Sequence, residues 1–521
     1  MADQQRLRLP IGIQTFSEIR EGGYYYVDKT PIIERLVQQN KYYFLSRPRR
    51  FGKSLLLDTL RCLFEGRQSL FEGLYIHDRW DWQQTHPVIR LSFGDGVLTS
   101  REALDIHIHE LLNAQAEALG VSLRNTSIAG RFRELIHQTH QHHGQRAVVL
   151  IDEYDKPILD NILEPERARE LREGLKNLYS VLKDADPHLH LVLITGVSKF
   201  SKVSLFSGLN NLRDITLLPE YSTICGYTDD DIDTVFAPEL PGLDREAIRQ
   251  WYNGYRWGGP EVTSVYNPFD ALLLLQNREF GPYWFESATP TFLVNLLKER
   301  GVFTPELTAW HSRPALLSRF DVDDISTDAL LFQTGYLTLK DIHEEVPNRP
   351  LYKLGLPNQE VEISLNEALL PALGVSHAVF DDVVIRLPRL LKVADMAGLE
   401  AHLKALYAGL PHDWYRNNPI ARYEGHYASV FYSHFAALGV QVTVEDSSHH
   451  GKVDMAVDFA GHIYLFEFKV VEQLPEGRAL EQIKARGYAD KYRASGKPIH
   501  LIGVEFSSEQ RQIVAFEVET L

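Results

Sequence analysis

Apolar positions along this chain fall into two rhythms that change with position. Between about residues 40 and 220, short β-rich apolar runs alternate with longer stretches of helical spacing; the runs are KYYFLS, PVIRLSF, AVVLID and LHLVLITG. That alternation predicts a parallel sheet with helices on both faces, because parallel neighbours need a crossover long enough to hold a helix. From about 226 to 375 the pattern turns mostly helical, as in DDDIDTVFAPEL, DREAIRQWY, PFDALLLLQN and PTFLVNLLKER. Past about 380 a helical segment, YEGHYASVFYSHFAALG, precedes two strands and a further helix. The expected fold class is α/β, with a sheet-bearing domain over 1–225, a helical, lid-like middle domain over 226–380 and a second α/β domain over 381–521.

Composition narrows the class. A chain of 521 residues exceeds what one hydrophobic core organises, and 44% hydrophobic with 24% charged residues is ordinary globular composition. The start MADQQRLRLP lacks the apolar segment of a secretion signal. Runs such as Ala271 to Leu275 fall far short of the roughly 20 apolar residues of a membrane helix, so no membrane partner is expected. Two cysteines, Cys62 and Cys225, make no disulfide framework and suit a cytoplasmic location. The net charge of −16 excludes a surface uniformly coated by nucleic acid, so any phosphate contact must be local.

One such place follows the first strand. Ser46-Arg47-Pro48-Arg49-Arg50-Phe51-Gly52-Lys53-Ser54 leads from an extended run into the helical LLLDTLRCLFEG. A strand, a tight loop and a helix form a phosphate cradle: loop amides and the helix N-terminus point at the anion. There Lys53 neutralises β and γ oxygens, the Ser54 hydroxyl ligates Mg2+, and Gly52 allows close backbone approach. Arg49, Arg50 and Phe51 complete the candidate loop. Arg47 stands where the GxxxxGK[ST] pattern has its first glycine, so the textual match is incomplete. Arg47, Arg49, Arg50 and Arg213 are each candidates for positive charge near a phosphoryl group.

Further along, the apolar run Ala147 to Ile151 ends in Asp152-Glu153-Tyr154-Asp155. Acids at the carboxyl end of a parallel strand face the same crevice as the loop. Asp152 is therefore the candidate Mg2+ holder and Glu153 the candidate group that orients and deprotonates the attacking water. A third run, Leu189 to Ile194, ends at Thr195, a candidate for sensing the γ-phosphate; a plain turn cap is the alternative.

The ordered set FSEIREGGYYYVDKT, RPRRFGKS, VVLIDEYDKP, ITGVSKFSKVSLFSGLNNL, WYNGYRW and VYNPFD resembles the bacterial AAA-ATPase-like proteins over roughly residues 8–375. The resemblance implies a P-loop NTPase sheet, with ATP and Mg2+ as cofactors, and makes RPRRFGKS an ordinary form of the loop.

A second candidate site lies in the last third. Gly451 to Phe459, Ala460-Gly461, and His462 to Val470 read as a hairpin with a two-residue turn. Pairing Phe459 with His462 and counting outward sets Asp454 opposite Glu467, with Lys469 further along the same face. Val453, Met455, Val457, Phe459, Phe466 and Phe468 form the other, apolar face. Opposed carboxylates about 5 Å apart repel unless a cation or a proton lies between them. Asp454 and Glu467 are thus candidate ligands of Mg2+ or Mn2+, with Lys469 stabilising charge or helping to generate hydroxide. A cross-strand ion cluster is the alternative. Glu424, at the start of EGHYASVFYSHF, is a possible further carboxylate. Gln482, Arg486 and Arg493 recur at helical spacing near Lys484, Lys491 and Lys497, as a nucleic-acid backbone contact would require, with Gln482 the candidate for the water or scissile phosphate.

YEGHYASVFYSHFAALG, GKVDMAVDF, IYLFEFKV and ALEQIKARGYADKY resemble the PD-(D/E)XK nuclease superfamily over roughly 400–515, with Gly451-Lys452 in place of the usual Gly-Arg. The resemblance implies a restriction-endonuclease-like fold, Glu424, Asp454, Glu467, Lys469 and Gln482 as active-site positions, and DNA or RNA as partner. Two expectations follow from the pairing of domains: an ATP-hydrolysing module that governs a metal-dependent nuclease, or a nucleotide-dependent switch whose nuclease-like domain is inert and binds a partner or nucleic acid. Machines of this kind often complete their sites between subunits, so a homo-oligomer is an open expectation. The histidines 137, 140, 142 and 143 read as a solvated helix end rather than a zinc site.

Overall fold

The computed structural model describes the chain except residues 1–5, 200–204, 207–208, 210, 289–292, 295, 298–299, 301–306, 308–309, 318–325, 348, 372–376, 409–423, 449–450, 472–474, 508 and 511; side chains are further undescribed at 288, 315–316, 345, 377–384, 424–428, 441, 445–448 and 451–453. The described chain divides into two compact units, Met1–Ala288 with His311–Asn358, and Thr289–Trp310 with Gln359–Leu521.

The first unit is built on five parallel strands, β1 (Tyr42–Ser46), β2 (Val88–Ser92), β3 (Ala147–Asp152), β4 (Leu189–Gly196) and β5 (Arg213–Asp214), in the order β2-β3-β4-β1-β5. The four runs predicted from the sequence are β1 to β4. All of β1 and β3 is buried, which is why those strands read as continuous apolar runs without alternation. The two-residue β5 has no such run to announce it. The segment 226–288 belongs to the same compact unit as this sheet. The middle of the chain also carries strands, β6 (Trp310–Ser312), β7 (Thr338–Val346) and β8 (Arg349–Gly355), ordered β6-β8-β7. Their turn signal is the Pro347-Asn348 pair between β-rich runs, outweighed by the helical pattern around it.

The second unit holds a mixed sheet of β9 (Gln441–Ser448), β10 (Gly451–Phe459), β11 (His462–Val471), β12 (Ile499–Ser507) and β13 (Gln512–Thr520), ordered β13-β12-β11-β10-β9. The β10–β11 turn has positive φ at both Ala460 (49°) and Gly461 (86°), the type I′ geometry of a two-residue hairpin. One face of the sheet carries Met455, Val457, Phe466 and Phe468 into a core with Phe431 and Phe435 of the helix Glu424–Ala436. The other face is only partly charged. Ala456, Ile463 and Leu465 form a second, smaller core with Ile483 and Tyr488. That cover comes from the helix Arg478–Ala485 and the 3-10 turn Tyr488–Ser495. The sequence reading of one continuous helical face through Arg493 is thereby corrected. Gly487, at φ 57°, breaks the helix after Arg486, because a left-handed residue cannot continue it.

Candidate functional sites

The ladders Ser46↔Gly196, Ile151↔Ile194 and Ser92↔Asp152 bring the carboxyl ends of four strands to one edge. From that edge the loop of residues 47–52 runs into the helix Lys53–Phe64. Two left-handed residues, Arg50 (φ 66°) and Gly52 (φ 91°), turn it. A Cβ on Gly52 would meet nothing within 4 Å, so conformation, not crowding, requires the glycine.

Lys53 is 6% exposed and donates its Nζ to the carbonyls of Arg47 and Pro48, each at 2.9 Å. Burial pulls its ammonium below the ordinary lysine value, while Asp152 and Glu153 pull the other way, which places both acids within its field. Asp152, also buried, accepts the Thr195 hydroxyl at 2.8 Å and the Glu153 amide at 3.1 Å on Oδ1. Glu153 is left-handed at φ 50°, a strained backbone for a non-glycine residue. Burial raises its carboxyl, and Lys53 opposes that rise. Lys53, Asp152, Glu153 and Thr195 therefore belong to one constellation at the sheet edge. Ser54 follows Lys53 in the first turn of the helix and is half-buried.

The remaining loop residues divide by role. Arg47 is fully buried, its guanidinium donating to the carbonyls of Ser46 and Thr216 at 2.8 Å and of Tyr221 at 3.2 Å, over the ring of Trp257. It is thus a brace for the loop rather than a phosphate ligand. Phe51 is buried, its ring edge-on to Tyr255 and Trp257. Arg50 lies over Phe269. Arg213 is engaged by Gln39 and Glu220. Arg49, its side chain about 40% exposed and 3.8 Å from Asp160, is the loop arginine whose charge acts on Glu153. Its carbonyl accepts the indole N–H of Trp284. Gly52 also lines a cavity, together with Tyr26, Leu55, Cys225, Tyr227 and Pro268 among others.

Asp155 was named in the sequence only as part of an acidic run. It is buried and accepts the Ser198 amide and hydroxyl, both at 2.6 Å, and the Val197 amide at 3.1 Å. These bonds tie the end of β3 to the segment after β4. No sequence signal separates this structural acid from the two before it.

In the second unit the ladder runs Phe459↔His462 through Met455↔Phe466, and continuing the same count by one residue sets Asp454 opposite Glu467. Asp454 Oδ2 accepts the amide of Phe468, beside Glu467. Glu467 is 1% exposed. Its Oε1 accepts the side-chain amide of Gln482 and lies 3.6 Å from Lys469 Nζ. Its Oε2 is buried with no hydrogen-bond partner. Burial first, and then Asp454, push its carboxyl up to about 7. Gln482 and Lys469 thus both meet Glu467, beside Asp454. Among the described residues no three His, Cys, Asp or Glu side chains group as a metal site. Glu424 begins its helix as expected, but its side chain lies outside the described residues.

The basic residues predicted along the covering helix are partly spoken for. Lys484 pairs with Glu519 at 2.5 Å, Lys497 with Asp458 at 2.6 Å and Arg493 with Asp490 at 2.9 Å. These are exposed pairs that cost little to exchange for phosphate.

Fold and geometry together define a protein with a strand–loop–helix turn at the edge of a parallel sheet and, in its second unit, a hairpin bearing two carboxylates. The family described as "Predicted AAA-ATPase" matches residues 10–206, and the "PD-(D/E)XK nuclease superfamily" matches residues 422–516. The chain belongs to the AAA-ATPase-like family and ends in a domain of the PD-(D/E)XK nuclease superfamily. It is 59% identical over 517 residues, 99% of each chain, to a protein of Azotobacter chroococcum mcd 1 named "Uncharacterized protein in vnfD 5'region". No helix among the described residues is long and apolar enough to cross a membrane.

Proposed function

We propose that the chain binds and hydrolyses ATP at the loop of residues 47–54 and cleaves nucleic-acid phosphodiesters at the Asp454–Glu467 pair. The observation that carries the first half is the convergence of Lys53, Asp152, Glu153 and Thr195 on one sheet edge. In the bound state Lys53 exchanges the Arg47 and Pro48 carbonyls for phosphate oxygens, a move its flexible stem permits. Asp152 and Ser54 are the residues that would hold Mg2+, and Glu153, with its raised carboxyl, is the proton acceptor for the attacking water. Arg49, whose charge already acts on Glu153, contributes charge toward the phosphates. The apolar cavity beside Gly52 suits a flat base held between aromatic and aliphatic walls.

The second half rests on Glu467 Oε2, a buried carboxylate oxygen with no hydrogen-bond partner, on a carboxyl that the charge of Asp454 helps to raise. That is the donor set a divalent cation fits, with Glu424 the remaining carboxylate the resemblance supplies. When bound, such a cation supplies Lewis-acid stabilisation of the phosphoryl charge and lowers the pKa of water. Lys469 places its ammonium near the developing charge, and Gln482 orients Glu467 and is available to the water or the phosphate.

Two assays decide these halves separately. Phosphate release by the wild type should vanish in Lys53→Ala. Cleavage of plasmid, single-stranded DNA or RNA with Mg2+ or Mn2+ should vanish in Glu467→Ala. Binding of nucleic acid without cutting in the wild type would instead favour the switch reading. Equal cleavage with ATP, ADP, a non-hydrolysable analogue and no nucleotide would refute any coupling between the two centres.

A further inference from the structure

The strand β12 contributes no residue to the candidate hydrolytic centre, yet two of its positions fix the helix that carries Gln482. In the parallel β11–β12 ladder Glu467 pairs with Gly503 and Lys469 pairs with Glu505. Paired residues of parallel strands share a face, so positions 503 and 505 lie on the face that bears the candidate centre. A Cβ at Gly503 would run into the backbone nitrogen of Leu480 and stand 2.9 Å from its Cα. The first turn of the helix Arg478–Ala485 therefore rests directly on the strand, and the missing side chain sets its height.

Glu505 sets the helix along its axis. It is 1% exposed, and its two carboxylate oxygens accept the amides of Glu476 (2.6 Å) and Arg478 (2.8 Å). Gly477, left-handed at φ 70°, lets the chain present both amides to one carboxylate. A buried carboxylate on a helix start is stabilised by charge-assisted bonds to donors that have no partner within the helix. One turn on from Arg478, Gln482 reaches Glu467 Oε1.

We propose that Glu505 is a positioning residue for the hydrolytic centre, acting through Gln482: it clamps the start of the helix so that the Gln482 amide is delivered to Glu467. The inference rests on the proposed nuclease reading for its kinetic consequence but not for its structural one. Residues that orient a catalytic group from behind typically change activity about 10- to 100-fold when removed.

The test combines a double-mutant cycle with hydrogen exchange on the full-length protein. Glu505→Ala should lower kcat for Mn2+-dependent cleavage roughly 10- to 100-fold with KM for the substrate little changed. Glu505→Gln, which keeps one acceptor oxygen, should fall between that variant and the wild type. In a Gln482→Ala background the loss from Glu505→Ala should disappear, because the residue it positions is gone. Additive losses, or wild-type kcat in Glu505→Ala, would overturn the proposal. If the wild type cuts nothing, the nuclease reading has failed, and exchange decides the positioning by itself. Faster exchange confined to residues 476–485 in Glu505→Ala upholds it, and unchanged exchange there refutes it.

Discussion

Thr195 and Asp152, at the ends of neighbouring strands β4 and β3, are joined by a hydrogen bond of 2.8 Å from the threonine hydroxyl to the carboxylate. Both are buried, and the same Asp152 oxygen also accepts the Glu153 amide. A change at Thr195 is therefore felt by both acids of the proposed hydrolytic step. A bond from a hydroxyl to a charged group is worth about 1.5–3 kcal/mol. Thr195→Val should slow phosphate release about 10- to 100-fold while nucleotide affinity, read by titration with a fluorescent ATP analogue, changes little. Unchanged turnover would remove Thr195 from the site.

Close approach makes Gly196 a sharper structural test. A Cβ there would stand 2.5 Å from the ring of Tyr154 and closer still to Asp155, the acid that ties β3 to the segment after β4. Neither neighbour is free to retreat, since both are buried. Gly196→Ala should destabilise the N-terminal unit by about 1–3 kcal/mol, measured as a shift of its denaturant midpoint. An unshifted midpoint would mean that the β3–β4 junction is softer than its packing indicates.

Arg47 carries a prediction that separates bracing from binding. Its guanidinium spans three carbonyls and the face of Trp257, a planar fork that lysine cannot reproduce. Arg47→Lys should cost about 2–4 kcal/mol of stability in the nucleotide-free protein. A phosphate ligand would show the reverse pattern, weaker ATP binding with stability unchanged.

These residues also show which features of the fold are written in the sequence. Strands β1 and β3 were legible because full burial writes itself as uninterrupted apolar runs, and β2 and β4 because each is broken only at one or two partly buried positions. The β10–β11 register was legible because a two-residue turn fixes the register of a hairpin from its tip. Arg47 was misread for a physical reason: an arginine beside a phosphate loop looks alike whether its fork meets an anion or three backbone carbonyls. Glu505 left no trace, since a lone Glu in a strand is ordinarily a solvent-facing residue. The helix break at Gly487 was signalled only by the glycine itself, which helical spacing on either side outvoted.

The raised carboxyl of Glu467 gives a pH dependence whose sign can be worked out. Its ordinary value of 4.5 rises to about 7 in the folded chain, first through burial and then through Asp454. The folded state thus holds a proton that the unfolded state releases between those values. The neutral carboxyl's stabilising contribution is fully present below about 4.5 and is lost as pH rises through about 7. In EDTA, the melting temperature of the C-terminal unit should fall as pH is raised from 5 to 8, and Glu467→Gln, which cannot ionise, should flatten that part of the profile. Divalent cation acts against the same proton. Below about 7 its binding must displace that proton, so its apparent affinity should strengthen by up to tenfold per pH unit and level off above. Calorimetric titration of Mn2+ at several pH values, in buffers of different ionisation enthalpy, reads both the affinity and the released proton. A melting profile in EDTA identical for wild type and Glu467→Gln would show that Glu467 is already ionised in the metal-free fold. The buried, unpartnered oxygen would then need another explanation than a cation's place.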